Sequence, residues 1–192
     1  MAIEAQALEP GRELDREQRV RARRSLLWTG VLLGIGTAGT LDQVLLHELL
    51  QWHTFYVHTD QYWRTFIDGL FHLAMAGLLF FGAMRLWRQR QSLGPARREG
   101  RTLAAGILLG MGGFNLYDGT VDHKILQLHP VREGVADQLP YDLAFIAVAV
   151  LLLVAGWLVW RSTRSPITLQ EAAEGHTSPG RWERGRPSRR AG

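Results

Sequence analysis

Apolar and polar positions segregate along the chain into four apolar blocks, at residues 26–46, 65–87, 102–121 and 141–160, separated by polar connections. Each block is long enough to cross the roughly 30 Å hydrocarbon layer as a helix. Lipid leaves the backbone few alternatives, because every N–H and C=O must be satisfied within the chain. The pattern predicts an all-α integral membrane protein with four transmembrane helices forming a membrane domain over 26–161. Ahead of it, 1–25 is basic and expected to be a solvated or interfacial helix. Behind it, 162–192 is rich in Pro, Gly, Arg and Glu without periodicity, and is expected to be a disordered tail.

The polar residues inside the blocks repeat. GVLLGIGTAGTLDQVLLHELLQWH, from Gly30 to His53, lies without a gap on GILLGMGGFNLYDGTVDHKILQLH, from Gly106 to His129. The copies share a glycine frame and the series Asp-x4-His-x3-Gln-x-His: Asp42, His47, Gln51, His53 in one, Asp118, His123, Gln127, His129 in the other. Block two opens with Asp68 and His72, whereas block four has Asp142 followed by Ile146. The chain therefore reads as a tandem repeat of a two-helix unit, with a pseudo-two-fold along the membrane normal. Gly30, Gly34, Gly106 and Gly110 have the small-xxx-small spacing that lets two spanning helices approach closely.

Charge orients these helices. The 192 residues carry a net charge of +4, and a mean hydropathy of −0.07 conceals how apolar the blocks are. A pI near 10.1 is also a nucleic-acid signature, but the arginines stand beside the spans, as the positive-inside rule describes. They cluster before block one, between blocks two and three, and after block four. Both termini are thus expected in the cytoplasm, in a multi-pass protein of the inner (plasma) membrane whose partner is the lipid bilayer, with no nucleic acid. A homo-oligomer or a membrane-complex partner remains open. The absence of cysteine excludes disulfides, thiolate metal sites and a cysteine nucleophile.

Ionisable residues inside a span cost about 2.5–3.5 kcal/mol each near its centre, so their repetition asks for a reason. The candidates are Asp42, Asp68, Asp118, Asp122, His47, His53, His72, His123 and His129. Histidine with aspartate is ligand chemistry for zinc, copper or iron, and aspartate can alternatively orient a ligating imidazole from behind. On an ideal helix His47 and His123 stand about 140° round from Asp42 and Asp118, so a site using both must be assembled between helices. Asn115, Asp118, Asp122 and His129 form one stripe if the third helix persists, and Asp68 and His72 share a face. The single occurrence of Asp122 and His72 argues for one shared site. A divalent-metal site leads; haem held by two facing histidines, a metal-dependent hydrolase and a small carrier are the alternatives. No HExxH-like element or nucleophile motif is present, which weighs against an enzyme.

DQVLLHELLQWH, DGLFH at Asp68 to His72, GGFNLYDGTVDHKILQLHPVR and YDLAF together resemble a bacterial family of predicted membrane proteins, the domain of unknown function 2243 family. The resemblance spans about Trp28 to Trp160. It implies four membrane helices without an established activity, and an association with respiratory oxidase assembly that would favour copper or haem. Family members usually read Asp-Gly where this chain has Asp42-Gln43, and often carry a second His where Thr54 stands.

Overall fold

A computed structural model describes residues 2–92 and 96–163. The first helix, α1 (Ala2–Asp42), runs unbroken from the basic segment into the first apolar block and continues as a π-helical segment, Gln43–Leu49. Helix α2 (Gln61–Gln89) starts where the Asp60 side chain accepts the Trp63 N–H at 3.1 Å, and ends in a 3₁₀ turn, Arg90–Ser92. Such a cap satisfies one of the first-turn N–H groups that no helix can pair internally. Helix α3 (Ala96–Tyr117) also passes into a π-helical segment, Asp118–Ile125. Asp137 accepts the N–H of Leu139 at 3.0 Å where α4 (Leu139–Thr163) begins. No strand occurs among the described residues. The expected tail lies, beyond Thr163, outside them.

Among the described residues three helices are long and apolar enough to cross a membrane: Glu17–Leu49, Gln61–Gln89 and Leu139–Thr163. The fourth expected span falls short of that apolarity, although α3 alone has 22 residues, about 33 Å of helix. Its sequence explains the difference. It opens on ARREGR, closes on Asn115, and is rich in glycine between. Position compensates for composition, since α3 packs against both α1 and α4. By contrast α2 packs mainly on α1, and α4 mainly on α3, leaving Phe66, Leu70, Phe80 and Phe81 of α2 and Leu143, Leu151, Val154 and Leu158 of α4 exposed. Outward apolar faces of this kind suit a lipid solvent.

The α1–α3 contact is a backbone contact. A Cβ added to Gly30 would stand 2.5 Å from the Leu103 carbonyl oxygen and 2.9 Å from Gly106 Cα, and Gly34 and Gly110 are equally closed by backbone. On the flanks, Leu33 of α1 fills the surface of Gly82 on α2, and Leu109 of α3 fills that of Gly156 on α4.

All four helices bring one end to the connections 50–60 and 126–138. These loops are bonded to each other: Val57 N–H donates to Leu128 O (3.0 Å) and Glu133 N–H to Trp52 O (2.6 Å). His58 Nε2 meets Gln127 O at 2.8 Å, and Arg64 pairs with Glu133 at 3.2 Å. At the far end Arg23 and Arg98 both donate to the Thr163 carbonyl, at 2.9 and 3.1 Å, closing the last turn of α4.

Candidate metal centre

The two Asp-x4-His pairs are separated by five residues, and five residues is the hydrogen-bond step of a π-helix. Where α1 and α3 widen into π turns, His47 Nε2 comes to 3.2 Å from Asp42 Oδ2, and His123 Nε2 to 3.2 Å from Asp118 Oδ2. The ideal-helix expectation that each histidine points away from its aspartate is therefore wrong. It assumed about 100° per residue, and the π turn removes that assumption where it matters.

Each segment ends the same way. Leu50 N–H bonds to Leu45 O (2.9 Å) and Leu126 N–H to Val121 O (2.8 Å). Gln51 and Gln127 then take left-handed backbone, with φ of 51° and 52°. That conformation costs a residue with a side chain roughly 1–2 kcal/mol, and here it turns each chain back so that His53 and His129 reach the interior. The helix carrying Asp118 thus stops before His129, so the stripe expected through Asn115, Asp118, Asp122 and His129 does not form.

Four imidazoles gather between the halves. His53 and His129 stack at 4.5 Å with planes 12° apart; His47 lies edge-on to His53 at 4.4 Å and His123 edge-on to His129 at 4.5 Å. All four are buried, His53 and His129 to 2 % exposure. His53 Nδ1–H donates to the Val131 carbonyl of the other loop at 2.8 Å, which leaves its Nε2 lone pair facing the cluster. Burial first, then the neighbouring imidazoles, holds His53 below its ordinary pKa and pushes His129 down to about 2, so both are neutral. Neutral imidazole is the form that binds a metal.

Several atoms here have no hydrogen-bond partner: Asp42 Oδ1, His47 Nε2, His53 Nε2, Asp118 Oδ2, and both ring nitrogens of His123 and His129. The 3.2 Å Asp–His approaches are therefore contacts without hydrogen-bond alignment. That separation has another meaning in coordination geometry. Two donors about 2.0–2.1 Å from a tetrahedral ion stand about 3.3 Å apart. Ligand atoms of Asp42, His47 and His53 lie within 4.8 Å of one another, as do those of His53, His123 and His129. His129 Nε2 is also 3.7 Å from Asp118 Oδ1. These residues can hold a metal ion.

Of the nine expected site residues, the structure brings six into this cluster: Asp42, His47, His53, Asp118, His123 and His129. Asp68 stands behind it, one carboxylate oxygen accepting the Phe55 N–H at 2.7 Å and lying 3.2 Å from His47 Nδ1. Asp122 is buried, its carboxyl within hydrogen-bonding reach of Asp118. His72 is outside the cluster, half-exposed, with Nδ1 at 3.3 Å from Glu48 Oε1. Sequence reasoning missed Glu48 and also Gln43, which is buried next to Asp42 with an unpartnered Oε1. The substitution of Gln43 for the usual glycine was the available signal for the second.

A cleft of about 750 Å³ reaches the cluster from one side, lined by Glu48, Asp68 and His72 and ending on His47 and His53. The other side is closed. Phe145 lies 5.2 Å from the His123 ring, Phe145 and Ile146 cover Gly119, and Lys124 pairs with Asp142.

Compared with models of known families, residues 29–163 match the family described as Predicted membrane protein (DUF2243). The chain belongs to this family. The DUF2243 segment takes in every cluster residue, both clasped loops and the Glu48–His72 pair, and leaves out the basic start of α1. No match was found among curated proteins or among solved structures.

Proposed function

We propose that this DUF2243 protein is a multi-pass membrane protein that binds divalent transition metal in a centre of four histidines and two aspartates. The observation that carries the reading is the set of buried, unpartnered nitrogen and oxygen atoms turned toward one another. An unpaired buried polar group costs about 1–3 kcal/mol, and eight of them rival the entire net stability of a domain, about 5–15 kcal/mol. Coordination through one nitrogen of each imidazole and one oxygen of each carboxylate relieves six of the eight. The donors are imidazole and carboxylate, which suit zinc, iron(II) or copper(II).

Matched geometry supports a pseudo-two-fold division into Asp42–His47–His53 and Asp118–His123–His129: equal Asp–His separations, equal positive φ at Gln51 and Gln127, and equivalent glycine contacts. With α3 as the fourth span, the arginine distribution and the positive-inside rule support cytoplasmic termini and a centre at the outer membrane face. The ring packing favours an ion over haem. A haem between two axial imidazoles needs a flat slot as wide as the macrocycle, and here neighbouring imidazoles stand only 4.4–4.5 Å apart, in direct contact. The glycine contacts of α1 and α3 leave no wider gap below.

The test is metal analysis and a visible spectrum of the purified protein in detergent. The expected result is at least one zinc, copper or iron per chain, lost in His47→Ala and His123→Ala. A Soret band would select haem instead. Neither metal nor haem, with both variants as stable as the parent, refutes the centre.

A further inference from the structure

We propose that Glu48 and His72 form a docking site for an incoming divalent cation, and that the cleft they line is the one route by which the centre is loaded. This rests on the metal-centre reading above and adds a second site with a different task.

The pair has the right donors, a carboxylate and an imidazole, with Nδ1 and Oε1 3.3 Å apart and side chains 36 % and 55 % exposed. Two protein ligands on an open surface hold an ion weakly and release it, unlike a closed site of three or four. The cleft continues past Asp68 to His47 and His53, whose buried Nε2 atoms have no hydrogen-bond partner. Arg64, the cation on this wall, is committed to the carbonyls of Val57 and Thr59 and to Glu133. The carboxylates of Glu48 and Asp68 therefore set the field that an arriving cation meets.

The other half of the molecule lacks this arrangement. Lys124 occupies the place that Glu48 has in the first repeat, and it is paired with Asp142, the counterpart of Asp68. Ile146 stands in place of His72, and with Phe145 it seals the surface over Gly119 beside His123. A cation approaching there meets a carboxylate already held by an ammonium group, and an apolar plug. One side admits and the other excludes.

The experiment uses the full chain in detergent, stripped with a chelator and mixed with Zn²⁺ against a chromophoric zinc indicator in a stopped-flow instrument. Zinc content is measured after desalting. The double variant Glu48→Gln/His72→Gln is expected to load about tenfold more slowly, the lower end of what a focusing cleft contributes to an on-rate, and to reach the parent zinc content. Lys124→Gln should load at the parent rate. Raising the salt should slow the parent more than the double variant. Equal loading rates for parent and double variant overturn the route and leave the centre standing. A folded double variant that never reaches the parent zinc content also overturns it, because the pair would then be resident ligands. A folded parent that takes up no zinc removes the metal centre itself, and this proposal with it.

Discussion

Asp68 separates ligand chemistry from packing more cleanly than any other residue near the centre. One of its oxygens serves two groups, the Phe55 N–H at 2.7 Å and His47 Nδ1 at 3.2 Å. Asp68→Asn retains an acceptor for Phe55 but removes the charge behind the imidazole. Such orienting carboxylates are worth roughly 10- to 100-fold in metal affinity, about 1.4–2.7 kcal/mol. Asp68→Ala loses the same term and also strands the Phe55 N–H, adding about 1–3 kcal/mol of destabilisation. Chelator-competition titration with zinc and thermal denaturation of the metal-free protein read the two effects separately. Asn should move affinity with little change in melting temperature, while Ala should move both. Asp142→Asn is the control, because Asp142 pairs with Lys124 rather than with a cluster imidazole. Parent-like zinc affinity in Asp68→Asn, or an equal loss in Asp142→Asn, would refute the assignment.

Other consequences can be measured independently. Gly30→Val drives a side chain into Leu103 O and Gly106 Cα, so it should destabilise the protein by about 1–3 kcal/mol and loosen the centre; unfolding in a denaturing detergent reads it. Gly77→Ala meets nothing within 4 Å and should be neutral or stabilising, by up to about 1 kcal/mol; a large loss would contradict the outward placement of that face. His53 and His129 are neutral in the fold, below the ordinary value of 6.5. The unfolded chain therefore binds more protons below that value, and metal-free stability should fall as the pH drops from 7 to 5. Melting temperatures should track this decline and flatten in the His53→Gln/His129→Gln variant; a flat parent profile would contradict it.

How much of this could be read in the sequence depends on the residue. The apolar blocks gave the helices, and α2 and α4 needed only a few residues added at each end. The repeated Asp/His series named all six cluster residues. What it could not supply was their geometry, because 3.6-residue periodicity was assumed through a stretch that the chain winds as π-helix. His72 drew attention through its spacing from Asp68, and the two do line one cleft, but the spacing could not reveal Glu48 as the nearer partner. The bonds between the loops, including His53 to Val131, join residues 78 positions apart and leave no local pattern to read. The modest apolarity of α3 makes sense only once α1 and α4 are seen on either side of it.

The clasp of the two loops has a further consequence for how the protein could be assembled. Neither repeat owns its half of the centre: His53 is fixed by a carbonyl of the second loop, and the first loop's Trp52 carbonyl receives Glu133. Helices α1 and α3 meet backbone to backbone along the same boundary. Two polypeptides, one ending after α2 and the other beginning at α3, should therefore find each other when co-expressed. Metal would be retained only by the reunited pair, with the ion acting as a rivet between two chains that share no peptide bond.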